Sequence, residues 1–310
     1  MKKVGKTLTA IGAAVLAGVL LRTCVATSYL IPSSGMENSL YQGERILVNK
    51  WSYGLRLPFM GWWGHHRWAA RPVKREDIIV FNNPGNLRQP VISRREVFIG
   101  RCIGTPGDTL LVDSLFNVVP SEKRAPDQKF LFAYPRTEEA QLDTLLHRLR
   151  ISSPLLGSDS TRNIRSLSRY EYYLLEQAAN AHLPLTPMEH TDSVKHLHAL
   201  LIPGRGVTLR VSPWNRTLLC NTLLLHEGRN AFIQGDTLYV DGKPADSCTF
   251  NKNYYWVTTN NASNLSDSRL FGLVPEDHVI GKAARIWFSK EQDTGLFSGY
   301  RWDRIGLAVK

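Results

Sequence analysis

The sequence predicts a mainly-β domain that carries a helical insertion and follows an N-terminal membrane helix. Three observations predict it. Short apolar runs of strand length alternate with turn residues over 29–119 and again over 201–310. Between them, leucines recur at helical spacing and a capping box opens a second helix. Ahead of them, Lys2, Lys3 and Lys6 precede an apolar run over 8–21. The expected organisation is a cytoplasmic tip and membrane anchor over 1–28, a β domain in two pieces (29–119 and 201–310), and a helical insertion over 120–200.

The N-terminal pattern fits two readings. A basic start, a short apolar core and the small residues Val25-Ala26-Thr27 match a cleaved signal peptide. Counted over 7–31, with Arg22 snorkelling to the interface, the same stretch is long enough to span a bilayer. The flanking lysines would then leave the N-terminus in the cytoplasm and the body outside it. The formal charge of +11 could suit nucleic acid or an anionic membrane surface. There is no nucleic-acid motif and no long basic run, so a nucleic-acid partner is not expected.

In the β pieces, 45–49 and 77–81 are short apolar strands, and 53–71 is a long loop bearing Trp62, Trp63 and Trp68. Those tryptophans are expected to be buried locally or to touch a membrane interface. Strands resume at 206–211, 237–243, 253–257 and 283–288, the second of them closing on an Asp241-Gly242 turn. In the insertion, Leu142, Leu145, Leu146 and Leu149 place a helix over 138–150. Ser168 and Glu171 cap another that runs to about Ala181, and 152–162 is polar and loop-like. His147, His182, His190 and His196 fall here, with His198 just beyond the helices, at no metal-binding spacing; neither a metal nor another cofactor is expected. Cys24 lies in the anchor. Cys102, Cys220 and Cys248 show no Cys-x-x-Cys spacing, and as an odd number they leave at least one thiol unpaired.

The segment Ile31-Pro32-Ser33-Ser34-Gly35-Met36-Glu37-Asn38-Ser39-Leu40 resembles the active-site segment of type I signal peptidases, P-S-x-S-M-x-P-T-L. In that family the serine before the methionine is the nucleophile; here it is Gly35. The segment over 96–108, ending Gly104-Thr105-Pro106-Gly107-Asp108, resembles the family's Y-I-K-R-x-x-G-x-P-G-D. The lysine that is its general base is Gly100 here. Further ordered matches run through 43–54, 76–81, 260–269, 271–275 and 279–283. The resemblance implies a β-barrel-like domain tethered outside the cytoplasm. It also implies a groove that takes the end of a signal peptide as an added strand.

The departures gather where the chemistry would be. A Ser-Lys enzyme needs a hydroxyl to attack and a neutral amine to take its proton, and glycine supplies neither. The family's Gly-Asp at the start of its last motif is Thr259-Asn260 here, its lysine-supporting serine is Leu265, and its Pro-Thr pair is Asn38-Ser39. Ser33 matches the residue that helps bind the oxyanion, and Asn261, Asp267, Ser268 and Arg269 match those that brace the site. If the segment is extended, Ser34 faces away from Gly35 and Ser33 lies too far along the chain to replace it. Arg101 cannot serve as a base, so a relocated dyad would need a distant lysine such as Lys50 or Lys282. The resemblance therefore implies a catalytically silent relative that binds signal peptides of exported proteins. An active signal peptidase with a rearranged site is one alternative. The other is a structural protein that partners an active paralogue.

Overall fold

The computed structural model describes residues 12, 25–56, 66–86, 88–113, 116–119, 129–179, 184–188, 197–261, 266–291 and 294–309. The chain divides into two compact units, and both are mainly β. The first comprises Met1–Pro32, Gln42–Ile99 and Asp277–Lys310; the second comprises Ser33–Tyr41 and Gly100–Glu276.

The first unit is a sheet with strands ordered Ala26–Leu30, Arg45–Asn49, Val279–Phe288, Ile78–Asn82, then residues 97–99 of strand Val97–Gly104. Arg45–Asn49 alternates exposed and buried residues, with Ile46 and Val48 inward, as a strand with one wet face must. Ile78–Asn82 is buried on both faces, which explains its unbroken apolar run. Ala26–Leu30 pairs residue by residue with Arg45–Asn49. A membrane span counted over 7–31 is therefore too long, because its last residues are already committed to a sheet. The rest of the expected anchor, with Cys24, lies outside the described residues except for Gly12 and Val25. Among the described residues no helix is long and apolar enough to cross a membrane. In the tryptophan-rich loop, Trp68 is exposed on a two-residue strand paired with Leu55–Arg56, while Trp62 and Trp63 lie outside the described residues.

Among the described residues, the second unit gathers a larger and a smaller hydrophobic core. The smaller belongs to the stretch expected to be helical. Its two helices are present: α1 (Glu139–Leu149) buries Leu142, Leu145 and Leu146, and α2 (Arg169–Ala179) follows Ser168. The capping box closes in both directions. The Ser168 N–H donates to Glu171 Oε2 at 2.7 Å, and the Glu171 N–H donates to Ser168 Oγ at 3.2 Å. The helices pack with Phe132, Tyr134 and Leu167, and Phe132 stacks on Tyr172 at 5.0 Å. The stretch is not purely helical, however. A four-stranded antiparallel sheet, ordered Thr186–Pro187, Lys129–Pro135, Arg162–Ser168 and Leu155–Ser158, runs through it. Its central strands are hard to read because their buried positions include Lys129, Asn163, Arg165 and Ser166, which blur the apolar alternation.

The larger core gathers Leu110, Leu200, Leu209, Leu219, Phe250 and Trp256 from short paired strands and from α3 (Arg216–His226). The sequence reading did not find α3, although Leu219, Cys220 and Leu223 share one helical face. Cys102, Cys220 and Cys248 are buried and form no disulfide with one another. Burial pushes the Cys220 and Cys248 thiols up. Of the histidines described, His147 is exposed on α1 and His198 stacks on Trp214.

Polar burial in the smaller core has a pH signature. Burial opposes ionisation of Glu139, but hydrogen bonds from Tyr134, Arg165 and Asn163 outweigh it and hold the carboxyl below its usual value. A depressed carboxylate contributes stability above its unfolded pKa and loses it as pH falls through the folded one. Denaturant midpoints measured from pH 7 to pH 3 should therefore fall on the acid side, and Glu139→Gln should flatten that fall. An unchanged slope in the variant would remove Glu139 from the account.

Candidate functional site

Ser33, Gly35, Gly100, Asn261, Asp267, Ser268 and Arg269 all belong to the second unit. Their framework is strand Tyr254–Thr258, which pairs with Val97–Gly104 in the register Val257 to Cys102 and Thr258 to Arg101, after a bulge at Trp256/Val257. Such bulges re-aim the residues that follow them.

Asp267 fixes the end of that strand. Its carboxylate has no solvent exposure and caps the short helix α4 (Ser268–Phe271) by accepting from the Arg269 N–H at 3.0 Å. It also accepts from the Thr259 N–H at 2.9 Å, from Thr259 Oγ1 at 3.0 Å, and from the Arg269 guanidinium through Nε at 3.0 Å and Nη2 at 2.5 Å. Next to it, the Val257 N–H donates to Ser268 Oγ at 2.9 Å. The Asp267-Ser268-Arg269 triplet thus holds Val257 through Thr259 in place. Thr259 is a working part of this brace.

The segment Ser33–Tyr41 docks on the residues that follow. Ser34–Met36 is one turn of 3-10 helix rather than an extended strand, so the alternation expected of Ser33 and Ser34 does not apply. Ser33 itself is extended and exposed, while Gly35 and Met36 are buried. The Asn261 N–H donates to the Gly35 carbonyl at 3.0 Å. Asn260 Nδ2 donates to the Glu37 carbonyl at 3.0 Å and to Ser39 Oγ at 3.1 Å, and Arg101 Nη2 donates to Ser39 Oγ at 2.8 Å. Ser39 and Asn260 therefore bond to each other. Leu265 lies outside the described residues.

At Gly100 the room for a side chain is already filled. A Cβ placed there falls 2.5 Å from Val257 Cγ1 and 3.1 Å from the Thr258 carbonyl oxygen. Val257 is a stiff, β-branched residue, and its backbone is tied to Ser268.

Sequence reasoning missed one lysine. Lys129 has no solvent exposure. Its Nζ pairs with Glu37 Oε2 at 3.2 Å and Glu171 Oε1 at 3.4 Å and donates to the Ser152 carbonyl. Its backbone N–H donates to the Asn260 carbonyl at 2.8 Å, and Ser152 Oγ donates to Glu37 Oε1 at 3.3 Å. Burial raises the Glu37 carboxyl above its usual value, outweighing Lys129 and its hydrogen bonds. A buried charge signal was present in the sequence, since Glu37 stands in an otherwise uncharged stretch over 31–43. Its partner, 92 positions away, was not readable. Lys50 and Lys282, the distant lysines weighed as bases, belong to the first unit, where Lys282 pairs with Asp77.

The family model described as "Signal peptidase, peptidase S26" matches residues 4–139 and 227–288. Among curated relatives, a protein named "Signal peptidase I" from Buchnera aphidicola subsp. Baizongia pistaciae is 23% identical over 294 residues, covering 93% of this chain and 78% of the relative. One of the same name from Aquifex aeolicus is 25% identical over 277 residues, covering 89% and 80%. One from Haemophilus influenzae is 23% identical over 319 residues, covering 94% and 72%. The match takes in both segments that carry the glycines and the strand between the brace and the lysine clamp, and the chain belongs to the peptidase S26, signal peptidase family.

Proposed function

We propose that this chain is a catalytically silent signal peptidase relative, anchored in the membrane with its main domain outside the cytoplasm, that holds signal-peptide ends of exported proteins without cutting them. The observation that carries this reading is the filled space at Gly100. The place from which the family's base would grow is occupied by Val257, and the position of its nucleophile is Gly35. Lys129 does not supply the base. An ammonium has three donors and no acceptor, and two carboxylates and a carbonyl engage this one. Meanwhile the Asp267 brace and the docked Ser33–Tyr41 segment keep the binding scaffold assembled. An assembled scaffold without a dyad favours capture over cleavage.

Purified protein incubated with a signal-peptide substrate ending in Ala-x-Ala should release no product above the uncatalysed background. Turnover that disappears in Ser34→Ala or Lys129→Met would reverse the reading and reveal a rearranged site. Restoring the dyad by Gly35→Ser with Gly100→Lys should fail as well. The added atoms overpack Val257, so urea midpoints should report a loss of about 1–3 kcal/mol. Adding Val257→Ala should recover most of that stability; a double variant as stable as the parent would show that the site has room for a base.

Topology is tested at the N-terminus. Mass spectrometry of the mature protein from membranes should find residues 1–28 retained. A chain beginning near Thr27 or Ser28 would mean a cleaved leader and a released domain.

A further inference from the structure

Lys129 touches both halves of the candidate site and the insertion at once. Its backbone N–H holds the carbonyl of Asn260, whose side chain in turn holds the Glu37 carbonyl and Ser39. Its ammonium holds the side chain of Glu37, which is 4% exposed and lies two residues beyond Gly35. On its other side stand Ser152, between the insertion's helices, and Glu171, the capping residue of α2. The Glu171 carboxylate is divided: Oε2 serves the Ser168 N–H that starts the helix, and Oε1 faces Lys129. One buried cation therefore ties the start of α2 to the segment that carries Gly35.

We propose that Lys129 is a positioning residue that sets the shape of the Ser33–Tyr41 segment from the insertion, through Glu37 and Glu171, and so controls how tightly the site holds a peptide. The inference rests on the peptide-binding reading above and deepens it. Without the cation, Glu37 and Glu171 are left as two buried like charges. Like charges at such range disfavour their shared ionised state, so the segment should open at neutral pH. The charged groups that act on Glu37 are Lys129 and Glu171, and protonation of Glu37 should let the segment return.

The test compares wild type with Lys129→Met by backbone hydrogen exchange and by the affinity of a fluorescent signal peptide ending in Ala-x-Ala. Exchange over 34–40 should quicken tenfold or more at pH 7.5 in the variant, while α3 keeps its protection. Peptide affinity should drop tenfold or more at that pH and recover as pH falls towards 5, a recovery absent from wild type. If Lys129→Met does not fold, the charge-free triple variant Lys129→Met, Glu37→Gln, Glu171→Gln replaces it; with the like charges gone its segment should stay as protected as in wild type and its peptide affinity should show no pH response, and fast exchange over 34–40 there overturns the proposal. Wild-type protection over 34–40 in folded Lys129→Met at pH 7.5 overturns it as well. If wild type binds no peptide yet Lys129→Met still loosens the segment, the binding reading falls and the clamp stands.

Discussion

The site region depends on how the carboxylate of Asp267 is held. A buried, ionised side chain is tolerated only when donors surround it, and Asp267 draws them from both sides of its turn: backbone and hydroxyl of Thr259, backbone and guanidinium of Arg269. Those bonds fix where strand Tyr254–Thr258 ends. The position of that end decides where Asn260 and Asn261 point, and these two residues seat the Gly35 segment. Val257, inside the same braced stretch, closes the space at Gly100. Support and obstruction thus come from one short piece of chain.

Two kinds of buried charge meet in this unit. Asp267 is satisfied mainly by Arg269 beside it and by Thr259, eight positions back and just past the end of a strand. The Lys129 cluster is satisfied only by residues far apart in sequence, so it forms only after the insertion and the site segment have both folded. Breaking a cluster of the second kind strands a charge that has no local substitute. The first kind makes a rigid end for a strand; the second makes a joint between parts.

Legibility followed the same division. Elements written by local rules were readable: the α1 leucines, the reciprocal Ser168 and Glu171 cap, the alternation at Arg45–Asn49 and the Asp267-Ser268-Arg269 turn. What escaped was non-local. Lys129–Pro135 and Arg162–Ser168 bury polar side chains whose partners sit on other elements, so neither shows a clean strand pattern. The single helical turn at Ser34–Met36 could not be told from an extended strand in so short a segment. The two glycines were plain in the sequence, but the crowding at Gly100 was not, because Val257 reaches it across a strand pairing.

That crowding also sets an order on change. With Val257 where it stands, a Cβ at position 100 falls 2.5 Å from its Cγ1, and interiors so packed resist enlargement. Val257 would need to shrink before any larger residue could stand at 100. The valine acts as a ratchet: the two positions can be altered one at a time in one order and not in the other.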